Sequence, residues 1–265
     1  MKDFNIRARE GNRFTRLSFP AALRVLLVAV ALIVAVAFFP QLRGKTDPQS
    51  KFRVGEVHYA RIKYHTQDYS GYFPDMPPWA HDYPRGDRNF CKVLGEVTQI
   101  RCDPDAYQIV TLEDDQIFKY PWTYMCEVGY LNLTDKEVTT LRAYLDRGGF
   151  VVVDDFRGAR EWNNFTNQMH KVYPDRTFQE LQVSHPVFQC FYNIKTLEMT
   201  PPYAPYLKPK FYGLSDSKGR LQMVVNFNND ISEYWEWSDE AWMPIALSNE
   251  AYKFGINYVV YALTH

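Results

Sequence analysis

The chain has 265 residues, of which 46% are hydrophobic and 16% aromatic, and its 30 basic side chains nearly balance 31 acidic ones. That length and apolar content are enough for one substantial folded domain and exclude global disorder. The even charge balance, with no sustained basic stripe beyond the N-terminus, excludes electrostatic capture of nucleic acid.

Residues 1–16 form a basic N-terminus, where Lys2, Arg7, Arg9, Arg13 and Arg16 outnumber Asp3 and Glu10. Residues 17–39 follow, and Val25 to Phe39 is uninterrupted apolar. Extended back to Leu17, with Arg24 snorkelling toward headgroups, this stretch is long enough for a spanning helix. The flanking positive charge keeps the N-terminus in the cytoplasm. The expectation is a single-pass signal-anchor in the cytoplasmic membrane, with the C-terminal domain periplasmic or extracellular. Ala35-Val36-Ala37 also fits a small-x-small cleavage pattern, so release after Ala37 is a competing reading. Either route exports the domain. Residues 40–51, polar and Pro-containing, read as a linker to a folded domain over residues 52–265.

Within that domain, Phe52 to Tyr59 alternates like a strand, and the Pro- and Tyr-rich stretch Gln67 to Arg88 reads as a long surface loop of the kind that often carries function. Phe90, Val93, Leu94 and Val97 have helical spacing within Arg88 to Thr98. Tyr107 to Leu112 and Trp122 to Tyr130 read as strands. The clearest unit is Leu133 to Phe156: Thr134 and Glu137 make a capping box, Val138, Leu141, Tyr144 and Leu145 an apolar stripe, and Gly148-Gly149 a stop. The continuous run Phe150-Val151-Val152-Val153 follows, as in a parallel strand buried on both faces. Arg160 to Tyr173 reads as the next helix, Leu221 to Phe227 as a later strand and Asn249 to Leu263 as a closing helix.

The segments DDQIFKYPWTYM, LTDKEVTTLRAYLDRGGFVVVDDFRG, SHPVF, NFNNDISEYWEW and KFGINYVVYALTH, in that order, resemble the bacterial family known as domain of unknown function 4159. The resemblance covers roughly Phe52 to His265. It implies an α/β fold with a flavodoxin-like, class I glutamine-amidotransferase-like doubly wound, mostly parallel sheet, together with export or membrane attachment. It implies no established activity. It also implies a place beside envelope proteins with AAA-type ATPase or von Willebrand A-like domains as partners.

The residues themselves argue against glutamine hydrolysis. An amidotransferase needs a nucleophilic thiol on a sharp strand-to-helix turn with an activating base. Cys126 is the candidate nearest a strand end, but Met125 before it is not small and Glu127 beside it would raise its pKa. The four cysteines, Cys91, Cys102, Cys126 and Cys190, are an even set in an exported chain, with pairing that the spacing leaves open. They show no zinc-ligand spacing, so neither a metal nor a cofactor is expected.

Asp154, Asp155 and Arg157 close the buried strand, where open α/β sheets place their crevice, although capping the next loop and pairing with Arg157 or Arg160 is a structural reading of the same carboxylates; His185, before Pro186, is either a further candidate base or a turn residue satisfying backbone groups. Asp154, Asp155 and His185 are therefore the weak catalytic candidates. The alternating Asn226, Asn228 and Asp230 begin like a calcium loop, but Ile231 and Trp237 break that pattern. Together with Arg157, Trp235 and Trp237 they make the expected ligand-binding set, sharing one polar pocket with Asp155. The leading expectation is a non-catalytic ligand- or partner-binding module of the bacterial envelope; the runner-up is a hydrolase acting on an envelope glycan or peptide.

Overall fold

The run Phe150-Val151-Val152-Val153 becomes the centre of the sheet in the computed structural model, which describes residues 56–67 and 76–265. The chain divides into two units, Met1–Lys51 and Phe52–His265, and the described residues belong to the second. The expected membrane segment at residues 17–39 lies outside the described residues. Among the described residues no helix is long and apolar enough to cross a membrane.

In chain order the strands are β1 (Glu56–Val57), β2 (Ala60–Lys63), β3 (Arg101–Cys102), β4 (Gln108–Thr111), β5 (Trp122–Cys126), β6 (Phe150–Phe156), β7 (Gln179–Glu180), β8 (Lys210–Ser215) and β9 (Leu221–Phe227). The helices are α1 (Arg85–Val97), α2 (Asp135–Asp146), α3 (Gly158–Val172), α4 (Ile231–Glu236) and α5 (Ile245–Thr264). The main sheet has the order β4-β2-β5-β6-β9-β8-β7. Its first five strands run parallel, and β8 turns antiparallel against β9. The fold is therefore mixed α/β with a mostly parallel sheet.

Strand alternation sorts the core into two layers. Phe150 and Val152 point to the layer that holds Phe90 and Leu94 of α1 and Phe254 and Tyr258 of α5. Val151 and Val153 point to the other, with Leu141 of α2 and Phe165 and Met169 of α3. Covered on both faces, all of β6 is buried, which is why it carries no polar alternation before Asp154.

Local signals place α2 and β6 where the sequence puts them. Thr134 Oγ1 accepts from the backbone of Glu137 at 3.2 Å while Glu137 Oε2 accepts from the backbone of Thr134 at 3.0 Å. Gly148, at φ +105°, supplies the left-handed turn between helix and strand. Other elements depart from expectation. The stretch Trp122 to Tyr130 is a strand only to Cys126, because Glu127 takes a left-handed conformation and a 3₁₀ turn, Val128–Tyr130, follows. Strands β2, β3, β7 and β8 and helix α4 have no counterpart in the sequence reading, and of the expected strand Phe52 to Tyr59 the described part is a strand only at Glu56–Val57.

The chain first builds β4 on one side of β2 and then β5 on the other, so its winding direction reverses between β2 and β5. The carboxyl ends of strands at such a reversal leave a crevice. Residues 77–84, which precede α1, reach this edge, where His81 meets Asp155.

Cys91 of α1 and Cys102 of β3 are disulfide-bonded, and Cys126 and Cys190 are free. Thiol counting on unfolded, unreduced protein is expected to find two thiols. Reducing this bond, which closes a short loop, is expected to cost about 2–3 kcal/mol in denaturant unfolding. Four thiols would contradict the pairing.

Candidate functional site

The base of this sheet edge is set by a buried arginine. Arg61 on β2 is fully buried and donates from Nε and Nη2 to both carboxylate oxygens of Asp87, in the first turn of α1, at 3.1 and 2.5 Å. Its Nη1 donates to the His81 carbonyl at 2.7 Å and reaches Cys126 Sγ at 2.9 Å. The His81 loop is thus pinned to the end of β5. Cys126 is fully enclosed there, and burial drives its thiol well above its ordinary pKa despite the adjacent guanidinium. A protonated, enclosed thiol is no nucleophile. The sharp position after the strand is taken by Glu127, at φ +50°. Gly129 lets α3 close on this turn, since a Cβ there would lie 2.4 Å from Glu161 Cγ.

The two aspartates that end β6 do different work. Asp154 accepts from the backbone of Ile231 and Ser232, each at 3.0 Å, from the Tyr124 hydroxyl at 3.0 Å and from Asn226 Nδ2 at 3.1 Å. It therefore anchors the first turn of α4. Burial and the neighbouring Asp155 push it up to about 6 against those hydrogen bonds. Asp155, at φ +51°, turns the other way. Its Oδ2 lies 2.7 Å from His81 Nδ1, and its Oδ1 accepts from Arg157 Nη2 at 2.7 Å. Burial raises Asp155, but the His81 hydrogen bond and charge, with the Arg157 guanidinium, prevail and hold it below the usual carboxylate range.

Around this pair stand further buried acids. Asp230 Oδ1 accepts from the Glu233 backbone at 3.0 Å and lies 3.3 Å from Ser232 Oγ, while its Oδ2 has no hydrogen bond and sits 4.0 Å from Arg157 Nη2. Asp82 Oδ2 accepts from Ser232 Oγ at 2.5 Å, and its Oδ1 likewise has no hydrogen bond. Glu233 is contacted by the Tyr203 hydroxyl. Burial pushes Asp82 and Asp230 up, Glu233 to about 7 and Glu127 to about 10. Burial alone would lower His81; Asp155, Asp82 and Glu127 instead raise it to about 10. Four non-glycine residues with positive φ, Asp82, Glu127, Asp155 and Asn228, sit along this one edge. Such conformations persist where the surroundings over-determine them, as at ligand sites.

The structure brings Asp154, Asp155, Arg157, Asn226, Asn228 and Asp230 together at the carboxyl edge. Within that group Asn226 bridges Asp154 to the Tyr258 hydroxyl, and Asn228 accepts from the Gly158 backbone at 2.9 Å, so both are committed to holding elements in place. Trp235 is buried against Phe90 in the core, and Trp237 stacks on Trp242 beneath Arg85. They are packing residues, and the site has no tryptophan rim from them. His185 stands at the opposite edge. Its ring packs 6.1 Å from Tyr261, which packs on Phe150 at the start of β6, about 16 Å of strand from Asp155. Sequence reasoning missed His81, Asp82, Glu127 and Glu233. The length of the Gln67 to Arg88 loop was the available signal for the first two.

The family described as Domain of unknown function (DUF4159) matches residues 58–263, more than three quarters of the chain, and the chain belongs to it. No curated protein matches the chain.

The His81 shift sets a pH dependence. A raised folded pKa gives stability that is complete below about 6.5, the free imidazole value, and lost as pH rises through about 10. Glu127, raised to about 10, slopes the same way. The thermal midpoint is expected to fall between pH 7 and pH 10, and His81→Gln to flatten that fall; a wild-type midpoint that is level or rising across this range contradicts the assignment.

Proposed function

We propose that this member of the family is a membrane-anchored bacterial envelope protein whose domain binds a ligand or partner at the carboxyl edge of its sheet without turning it over. The observation that carries this reading is the turn after β5, where an amidotransferase would present its thiol. Here Glu127 holds the strained position, and Cys126 lies enclosed behind Arg61. The order of the five parallel strands is that of flavodoxin-like folds, 2-1-3-4-5 when counted in chain order, and this supports the flavodoxin-like, glutamine-amidotransferase-like reading. The disulfide Cys91–Cys102 supports export, as do the apolar stretch at residues 17–39 and its basic flank.

His81 and Arg157, both cationic, reach solvent with side-chain exposures of 25% and 29%, while Asp155 between them is buried. That arrangement favours a ligand with a carboxylate group, as envelope peptides and acidic glycans carry. An envelope protein with an AAA-type ATPase or von Willebrand A-like domain is the proposed partner class. A hydrolase on an envelope glycan or peptide is the second reading, favoured by Glu233, which burial brings to about 7 and so to the pKa of a neutral-pH acid–base group. Asp155 would serve it; His185, at the far edge, would not.

The test is a pair of measurements on full-length protein. Incubation with glutamine is expected to release no ammonia, and acidic envelope fragments are expected to raise the thermal midpoint, with Arg157→Ala weakening the effect at least tenfold in ligand concentration. Turnover abolished by Cys126→Ser would overturn the reading. So would a fragment response that Arg157→Ala leaves intact, and fragment cleavage lost in Asp155→Asn would move the conclusion to the hydrolase.

A further inference from the structure

The arrangement of donor atoms around His81 goes beyond a carboxylate-recognition site. A His81 ring nitrogen, an Asp155 oxygen and an Asp230 oxygen all lie within 4.8 Å of one another, and His81, Asp82 and Glu233 form a second such triad on the same imidazole. These groups come from three separate parts of the chain: the loop after β2, the end of β6 and the segment after β9. Each is fixed by contacts outside the triads. Arg61 grips the His81 carbonyl, and Asp154 holds the backbone of Ile231 and Ser232 beside Asp230.

Two of the carboxylates are held by one oxygen and bare at the other. Ser232 Oγ meets Asp230 Oδ1 and Asp82 Oδ2, while Asp230 Oδ2 and Asp82 Oδ1 are buried without a hydrogen bond. Leaving a carboxylate oxygen buried and unbonded is costly. The nearby cations reach these two only at long range: His81 Nδ1 is 3.5 Å from Asp82 Oδ1, against 2.7 Å from Asp155 Oδ2. Arg61 is spent on Asp87, and Arg157 Nη2 is 2.7 Å from Asp155 but 4.0 Å from Asp230 Oδ2. An outer oxygen fixed by a hydroxyl and an inner oxygen left open is how second-shell groups aim carboxylates at a metal. The spacing suits an ion as well. Neighbouring donors around a first-row metal with bonds of about 2.0–2.2 Å lie about 3 Å apart, and His81 Nδ1 is 2.7 Å from Asp155 Oδ2.

We propose that His81, Asp155 and Asp230, with Asp82 and Glu233 beside them, bind one divalent first-row transition metal ion, which displaces the proton that His81 shares with Asp155. One imidazole among carboxylates selects manganese- or zinc-like ions over magnesium and calcium, which take oxygen ligands alone. The proposal rests on the carboxyl edge being the binding site and adds that the ion would provide the point at which a ligand's carboxylate attaches. The other histidine–acid group, His65 with Glu113 and Glu137, carries no such claim. Both Glu137 oxygens are already used by the backbone of His65 and Thr134, and His65 is exposed.

The experiment uses full-length protein stripped with chelator and dialysed, then titrated with Mn²⁺ by electron paramagnetic resonance and with Zn²⁺, Mg²⁺ and Ca²⁺ by calorimetry. One Mn²⁺ or Zn²⁺ per chain is expected, bound at least tenfold more tightly than Mg²⁺ or Ca²⁺. Asp230→Asn keeps the side chain's shape and its cap on α4, and it and His81→Gln are expected to weaken the ion at least a hundredfold with unchanged circular dichroism. His65→Ala is expected to change nothing. No bound Mn²⁺ or Zn²⁺ in wild type overturns the proposal, as does binding that His65→Ala removes and Asp230→Asn spares. Fragment binding that persists without any ion defeats the metal alone, whereas ion binding with no response to any fragment supports the metal and defeats the ligand reading.

Discussion

A single guanidinium governs the geometry of the carboxyl edge. Arg61 lies fully buried on β2, and its pairing with Asp87 fixes the start of α1 against the sheet. The same group holds the His81 carbonyl and reaches Cys126 Sγ, so the loop after β2, the end of β5 and α1 share one anchor. Removing either partner from a buried ion pair strands a charge, at a cost of about 3–5 kcal/mol. Two functional consequences follow from that one contact. Cys126 is sealed away from solvent, and the His81 imidazole is delivered to Asp155.

Asp154 is the second anchor, and it divides labour with its neighbour. Saturated by donors from β5, β9 and the first turn of α4, Asp154 is structural in every contact it makes. The left-handed turn at Asp155 then directs the next carboxylate away, to His81 and Arg157. Consecutive aspartates on a regular strand would simply face opposite sides of the sheet. The pairing Val153↔Val225 gives way to Phe156↔Phe227, an irregularity in register between these strands that accompanies the turn.

The sequence made the framework legible where the signal was local. The capping box at Thr134 and Glu137, the glycine stop and the all-apolar start of β6 are each read over a few residues, and each is found. Leu221 to Phe227 matches its strand end for end. Half of the site was legible for the same reason, because Asp155, Arg157 and Asp230 lie at or just beyond strand ends. The rest was not, since His81 and Asp82 sit in a Pro- and Tyr-rich loop with no periodicity and reach the site only because a buried arginine holds them there. Glu127 read as a strand residue, its left-handed conformation being visible only in the fold. Trp235 looked like a rim residue for want of its partner Phe90, which is distant in sequence.

If the edge is a binding site, its unbonded acids serve a ligand at the expense of the fold, as functional residues often do. The decisive measurement is the thermal midpoint of Asp230→Asn against wild type, both in chelator and without added fragments. An amide keeps the cap on α4 and removes a buried acid that lacks a hydrogen bond on Oδ2. The account predicts a midpoint equal to wild type or higher, by about 2–4 °C for each kcal/mol gained. A midpoint several degrees lower would show that Asp230 is a structural partner of Arg157, and would contradict the claim that this edge is built to bind.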